Sequence, residues 1–187
     1  MTIAMTKIEA DTLPASDAGS DVFRDGAFVA DDWTILADDA EIPSEGRVFL
    51  PLARFLETVE SLEGDNRPVG VVLQPGERTD ALAPYLDRVA AIALVFPKFA
   101  DGRAYSHANL LRDKYGYQGT LRAVGDVLID QIGPMRRVGF SEFKVVNEPT
   151  RKALVEGHDP EVKLYYQPAV RKEPPAGTRP WMRKAPD

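Results

Sequence analysis

Short apolar runs alternate with segments of helical periodicity between residues 48 and 156. The apolar runs predict strands at 48–52, 69–73, 91–96, 120–124 and 143–146. Apolar residues recur on one helical face in the segments that follow, which predicts helices at 53–62, 79–89, 105–115, 126–138 and about 150–156. Five strand–helix repeats with short links predict an α/β fold with a predominantly parallel sheet and right-handed crossovers.

Two arrangements of such a sheet satisfy the pattern: an open sheet with flanking helices, and a partial TIM-like barrel. We favour the open sheet of about five strands, because five strands are too few for the usual eight-stranded barrel. Within the predicted helices, Thr79 and Asp126 are placed as N-caps. Pro84 and Pro134 lie inside helical segments. Pro84 predicts a bend or an earlier end of its helix, and Pro134 predicts a kink.

The N-terminal part of the chain differs in composition from its centre. Residues 1–20 are small, polar and acidic, which predicts a disordered tail. Two short apolar runs flank Asp25-Gly26, a dipeptide that accepts the positive φ angles of a tight hairpin turn. We therefore expect an N-terminal β-ribbon over one edge of a single α/β domain that covers residues 21–168.

The C-terminal part is predicted to contain an edge strand at 164–167, followed by an extended, basic and proline-rich tail at 169–187. Trp181 and Met182 form an apolar pair within this tail. The pair either docks on a partner protein or rests on its own domain.

Composition excludes several classes of function. The chain of 187 residues has a formal net charge of −6, which argues against a nucleic-acid binder and gives no reason to expect an anionic membrane as partner. It contains no cysteine, so it has no disulfides, no thiol catalysis and no thiolate-ligated cofactor of its own. No apolar run approaches the roughly 20 residues that span a bilayer. We expect a cytoplasmic protein.

The segment 96–106 carries the main candidate chemistry, since it gathers two cations, a carboxylate, two hydroxyl groups and a turn glycine where a strand ends and a helix begins. Ligands of α/β proteins usually bind at such strand ends. In a parallel sheet, the strand at 120–124 ends at the same edge. The candidate ligand-binding residues are Lys98, Asp101, Gly102, Arg103, Tyr105, Ser106, Gly125 and Asp126, with Arg122 as a weaker candidate whose face of the strand is open.

The chemistry of this set suits a small oxyanion or a phosphate, because Lys98 and Arg103 would lie beside the N–H groups of two helix N-termini. The alternative is ordinary turn chemistry, in which Arg103 only pairs with Asp101 on the surface.

Other candidate groups leave more than one interpretation open. Asp126 and Asp130 have the i,i+4 spacing of one helical face, which suits a divalent cation or acid–base work, although Asp126 is more simply a cap. His107 is either an acid–base group or an exposed histidine without a role, and Gln131 faces either a ligand or solvent. The chain has no glycine-rich dinucleotide motif, no phosphate-binding loop of the Walker type and no nucleophile elbow, so no catalytic residue and no cofactor is assigned.

The segments 96–106, 110–112, 116–119 and 121–131 resemble those of a bacterial family known as domain-of-unknown-function family 934. Their shared pattern here is Phe-Pro-Lys-Phe-Ala-Asp-Gly-Arg-Ala-Tyr-Ser, then Leu-Leu-Arg, Gly-Tyr-Gln-Gly and Leu-Arg-Ala-Val-Gly-Asp-Val-Leu-Ile-Asp-Gln. The resemblance extends over roughly residues 22–167. It implies an association with assimilatory sulfite reduction, and members are often labelled oxidoreductases.

The leading hypothesis is an accessory protein of sulfite reduction that binds a small anion, or docks to a sulfite-reduction enzyme through Trp181 and Met182. One alternative is an enzyme acting on a phosphorylated or carboxylated metabolite, with Asp101, His107 or Asp126 as proton carrier. The other is a non-catalytic adaptor.

Overall fold

In a computed structural model of the protein, residues 21–62 and 67–159 are described, and their strands form a single curled sheet. The strands are β1 (Asp21–Arg24), β2 (Ala27–Ala30), β3 (Trp33–Ile35), β4 (Arg47–Pro51), β5 (Val69–Leu73), β6 (Val89–Phe96), β7 (Thr120–Gly125) and β8 (Glu142–Phe143). The α-helices are α1 (Leu52–Thr58), α2 (Arg103–Asn109), α3 (Ile129–Arg137) and α4 (Glu148–Val155). A run of 3-10 turns covers Thr79–Arg88, and a π-helical turn at Leu110–Lys114 extends α2.

The sheet is mostly parallel, as the sequence predicts, but the five-strand count is wrong. Its eight described strands have the order β2-β1-β8-β7-β6-β5-β4-β3. Strands β3 to β8 are parallel to one another, whereas β1 is antiparallel to both β2 and β8. The extra strands β1, β2 and β3 have only three or four residues each, too few to show a periodicity.

The predicted N-terminal ribbon is confirmed as the β1–β2 hairpin. Asp25 and Gly26 have φ angles of 52° and 83°, the positive values that both central residues of a type I′ turn require. Strand β1 pairs with β8, so the hairpin extends the edge of the parallel sheet.

The connection between β2 and β3 shows that the sheet is strongly curled rather than open. These two strands lie at opposite ends of the strand order, yet only Asp31 and Asp32 separate them in sequence. A flat sheet of eight strands is about 33 Å wide. From Ala30 to Trp33 the backbone reaches at most about 11 Å. The two edges must therefore approach each other, and the alternative of a partial barrel is the correct one.

Strands β4 to β7 each contribute residues to two separate apolar clusters, one on each face of the sheet. In β6, Ile92, Leu94 and Phe96 belong to the larger cluster, which also contains the buried helical residues. Ala91, Ala93 and Val95 alternate with them and belong to a smaller cluster formed by strand residues only. The helices thus cover the outer face, and the strands pack against one another across the inner face.

Two predicted helices begin or form differently from the expectation. The segment Thr79–Arg88 forms 3-10 turns instead of an α-helix, and Pro84, which cannot donate an i→i−4 hydrogen bond, lies within it. Neither Thr79 nor Asp126 is an N-cap: the 3-10 segment follows Arg78, and α3 follows Leu128. The side chains of both residues bond to neighbouring segments instead.

Several predictions of the sequence fall on parts of the chain outside the described residues. These are the N-terminal tail at 1–20, the edge strand at 164–167, and the C-terminal tail with Trp181 and Met182. Among the helices at 21–62 and 67–159, none has the length and apolar character needed to cross a membrane.

Candidate functional site

The candidate site lies where β6 and β7 end. The sequence predicts that these strands are parallel, and the structure shows that they are also neighbours. Phe96 is paired with Gly125 at the last position of the ladder. Just beyond it, the N–H of Asp126 donates to the carbonyl oxygen of Phe96 at 2.8 Å. The loops that follow the two strands therefore begin side by side.

The two loops are also joined through the backbone of Phe99. Its N–H donates to Oδ2 of Asp126 at 2.9 Å, and its carbonyl oxygen accepts a hydrogen bond from Nε2 of Gln131 at 3.3 Å. Gln131 is buried, and its Oε1 accepts from the N–H of Leu128 at the start of α3. Gln131 therefore faces neither ligand nor solvent; it holds the 97–102 loop against α3.

Gly125 is required at the junction because of its backbone conformation. Its φ angle is +97°, in the region that side chains rarely adopt. A Cβ atom at this position would lie 2.3 Å from the carbonyl oxygen of Phe96. Gly102 differs: its φ is −87°, and nothing lies within 4 Å of the space a Cβ would fill.

Arg103 and Asp101 form a close ion pair where the 97–102 loop meets the start of α2. Nη2 of Arg103 lies 2.6 Å from Oδ2 of Asp101, and Nε donates to Oδ1 at 2.9 Å. The hydrogen bond from Arg103 holds the pKa of the Asp101 carboxyl below its ordinary value. The side chain of Arg103 is 60% exposed, so this pair has the geometry of the surface salt bridge that the sequence allowed as an alternative.

The ion pair uses only one edge of the Arg103 guanidinium group. Asp101 accepts from Nε and Nη2, so the N–H groups of Nη1 point to no acceptor within the described residues. Lys98 is exposed on the same loop and makes no salt bridge with any described carboxylate. Ser106 is exposed on α2. The loop thus retains donors with positive charge.

Tyr105 is not part of this surface. Its ring packs edge-on against Phe96 at a centroid distance of 5.4 Å and against Phe140 at 6.5 Å. Burial, and to a smaller extent the charge of Asp130, raises the pKa of Tyr105 to about 12. Tyr105 therefore stabilises the packing of α2 against the sheet.

Arg122 lies away from the strand ends, on the inner face of the sheet. Its side chain is only 2% exposed and donates to Glu142 at 2.8 Å and to Asp31 at 2.9 Å. The guanidinium carbon stands 5.0 Å from the ring centre of Phe49, a residue of β4. The sequence placed Arg122 among the ligand-binding candidates, but this geometry makes it the centre of a buried ion cluster.

The cluster of Arg122, Asp31 and Glu142 stabilises the seam of the sheet, the place where the link between β2 and β3 brings its two edges together. Asp31 belongs to the two-residue link between β2 and β3, and it also accepts a hydrogen bond from Nζ of Lys144 at 2.9 Å. Arg24 of β1 donates to Glu142 at 3.0 Å. The edge strands are thus held to the centre of the sheet by charge-assisted hydrogen bonds.

The pKa of Asp31 predicts how this cluster responds to acid. Burial acts to raise it, but hydrogen bonds from Lys144 and Arg122 outweigh burial and hold the pKa below the ordinary value of 3.8. A carboxyl with a depressed folded-state pKa contributes stability above its unfolded pKa, and the contribution is lost as the pH falls. We expect the urea midpoint of the wild type to fall more steeply below about pH 4 than that of Asp31→Asn. Parallel slopes for the two proteins between pH 6 and pH 3 would refute this assignment.

His107 is bonded at both ring nitrogens. Nδ1 lies 2.6 Å from the hydroxyl oxygen of Thr79, and Nε2 lies 3.3 Å from the carbonyl oxygen of Pro75. A neutral ring with its proton on Nε2 satisfies both contacts, because the Thr79 hydroxyl then donates to Nδ1. His107 therefore ties α2 to the loop after β5, and it is neither exposed nor without a role.

The interpretation of Asp126 and Asp130 as a helical pair is wrong, because α3 begins after Asp126. The described residues contain no group of three or more histidine, aspartate or glutamate side chains arranged to hold a metal ion.

Sequence reasoning missed the arrangement of Phe99. An aromatic residue between Lys98 and Asp101, in a loop that otherwise consists of small and charged residues, was the available signal. The sequence does not predict that the backbone of Phe99 bonds to Asp126 and Gln131, because these are contacts between distant segments.

A comparison with protein families finds a match for the larger part of the chain. Residues 70–177 match a protein-family model described as "Bacterial protein of unknown function (DUF934)". The matched range includes both loops of the candidate site. No curated protein matches the chain.

Proposed function

Since the chain belongs to the DUF934 family of bacterial proteins, we propose that it is a cytoplasmic accessory protein of assimilatory sulfite reduction that binds a small oxyanion. The binding surface is the rim formed by residues 97–103 and 125–128. The pathway is proposed on the resemblance described above. The binding site is proposed on one observation, the attachment of a loop with two cations to the end of the neighbouring strand.

The charges of the rim support an anion rather than a cation as ligand. Both carboxylates already accept hydrogen bonds, Asp101 from Arg103 and Asp126 from the N–H of Phe99. Among the described residues, the Lys98 ammonium group and the Nη1 edge of Arg103 have no hydrogen-bond acceptor. An oxyanion can accept from both, and charge-assisted hydrogen bonds of this kind are roughly twice as strong as neutral ones.

Asp101 contributes to such a site by restricting the guanidinium group of Arg103. An exposed arginine normally loses side-chain entropy when it binds a ligand. Here Asp101 already holds Nε and Nη2, so the remaining edge is fixed before the anion arrives. A preorganised donor binds more tightly because less freedom is lost on binding.

The enzyme alternative has less support, because two of its proposed proton carriers are engaged. His107 is bonded at both nitrogens, and Asp101 is ion-paired. The tail that would dock to a reductase lies outside the described residues, so the adaptor alternative stays a prediction.

A thermal-shift titration with sulfite, sulfate and phosphate tests anion binding. At ten times its Kd, a ligand stabilises the protein by about 1.4 kcal/mol, which corresponds to roughly 3–6 °C for a chain of this size. We expect this shift for at least one of the three anions with the wild type, and its loss in the double variant Lys98→Ala, Arg103→Ala.

The matched control is the double variant Arg78→Ala, Lys152→Ala. Arg78 forms an exposed ion pair with Asp80 at the same i,i+2 spacing as Arg103 with Asp101, and Lys152 is exposed on α4. This control has the same net charge as the test variant and is expected to keep the full shift. If no anion shifts the wild type, or if both double variants respond equally, the proposed site is incorrect.

A further inference from the structure

Phe99 is an exposed aromatic side chain on a fixed backbone. Its exposed fraction is 51%, and it is the one aromatic residue among the exposed large hydrophobic residues of the described chain. Both of its polar backbone atoms are bonded to side chains from the β7–α3 segment, Asp126 and Gln131.

One of the two side chains that hold the backbone of Phe99 is buried. Gln131 is buried, and its amide group joins the carbonyl oxygen of Phe99 to the N–H of Leu128. Asp126 is held in turn by the hydrogen bond from its N–H to Phe96. An exposed loop residue is usually among the most mobile parts of a fold. Here the ring of Phe99 is presented to solvent from a backbone that two hydrogen bonds restrain.

The neighbours of Phe99 define the ligand that such a ring suits. Lys98 precedes it directly, and Arg103, with its Nη1 edge unused by described residues, follows four residues later at the start of α2. An apolar ring and two cations within one short segment match a molecule that combines a planar group with a negative charge. The two carboxylates of the rim already accept hydrogen bonds, Asp126 from the N–H of Phe99 and Asp101 from Arg103.

We propose that the ligand of the rim is a single nucleotide, a phosphate or sulfate ester that carries a planar base. The base stacks on the ring of Phe99, and the charged group contacts Lys98 and Arg103. This inference rests on the proposed anion site and names its ligand class. The net charge of −6 on the whole chain favours a single nucleotide over a nucleic-acid strand.

The test compares adenosine monophosphate with inorganic phosphate by isothermal titration calorimetry on the full chain. We expect the wild type to bind the nucleotide more tightly than phosphate. Loss of base stacking in Phe99→Ala should weaken nucleotide binding about 5- to 150-fold. The affinity for inorganic phosphate should change less than twofold, since the cations and the backbone bonds of residue 99 remain.

Leu110→Ala is the control, because Leu110 is another exposed hydrophobic residue, the first of the π-helical turn that extends α2. Its nucleotide affinity should equal that of the wild type. Equal affinity of the wild type for nucleotide and phosphate, or an unchanged nucleotide affinity in Phe99→Ala, overturns the inference while leaving the anion site in place. Absence of nucleotide binding overturns the inference, and if sulfite, sulfate and phosphate also fail to bind, the anion site is overturned with it. Phe99→Ala folds as the wild type does if the circular dichroism spectra and urea midpoints coincide.

Discussion

Replacing Arg122 with methionine is expected to lower the free energy of unfolding by about 3–5 kcal/mol. The substitution removes the guanidinium group that Asp31 and Glu142 share, and both carboxylate side chains are almost fully buried. Asp31 would keep only Lys144 as a cationic partner and Glu142 only Arg24, so a large part of their desolvation cost would no longer be offset. Urea denaturation at pH 7, followed by circular dichroism, measures the difference.

Two further variants separate this explanation from a general effect of losing an arginine. Arg103→Met removes an exposed ion pair and should change stability by less than about 1 kcal/mol. The triple variant Arg122→Met, Asp31→Asn, Glu142→Gln removes the buried charges as well, so part of the loss should be recovered. A wild-type-like midpoint for Arg122→Met would show that the cluster does not hold the sheet together.

Replacing Gly125 with alanine is expected to cost at least about 2 kcal/mol, because the residue would have to keep a positive φ angle. The new Cβ would also meet the carbonyl oxygen of Phe96, the atom that accepts the hydrogen bond from Asp126. Relief of this contact requires β6 and β7 to separate at their ends. We therefore expect Gly125→Ala to lose anion binding along with stability.

Gly102→Ala is the matched control for that substitution. Gly102 lies in the same region, has a negative φ and has open space around its Cα. Its replacement should leave the free energy of unfolding within about 0.5 kcal/mol of the wild-type value. Similar losses for the two glycine variants would mean that the tight junction at Gly125 is not the cause.

Hydrophobic patterning predicted strands β4 to β7 because they alternate with helical segments of sufficient length, whereas the predicted strand at 143–146 shares only Phe143 with β8. Patterning failed at β3 for a physical reason. Trp33, Thr34 and Ile35 form a strand only because β4 offers them a parallel edge. That pairing is a tertiary contact, and nothing in three residues encodes it. The curl of the sheet follows from the same missed strand, so the partial barrel was ranked below the open sheet.

The candidate site was predictable to the extent that it depends on topology. Parallel strands end at one edge, which predicts that residues 97–103 and 125–128 lie on the same side of the sheet. That the two segments lie side by side depends on the strand order, which the sequence left open. The direction of single side chains was not predictable in this way. Arg122 points to the inner face because its carboxylate partners lie there. Tyr105 turns from α2 toward the sheet because its ring packs against Phe96. Asp126 bonds to Phe99 across the loops, a contact that helix-capping rules do not anticipate.

The most direct test of the anion site is a two-dimensional ¹H–¹⁵N NMR titration of the wild type with sulfite, sulfate and phosphate. The account predicts saturable shifts of amide signals concentrated in residues 98–103 and 125–131, with those of Phe99 and Asp126 among the largest. Signals of the seam, including Asp31 and Glu142, should stay in place. Shifts that follow the surface charge over the whole chain without saturation, or that cluster away from the ends of β6 and β7, would contradict it.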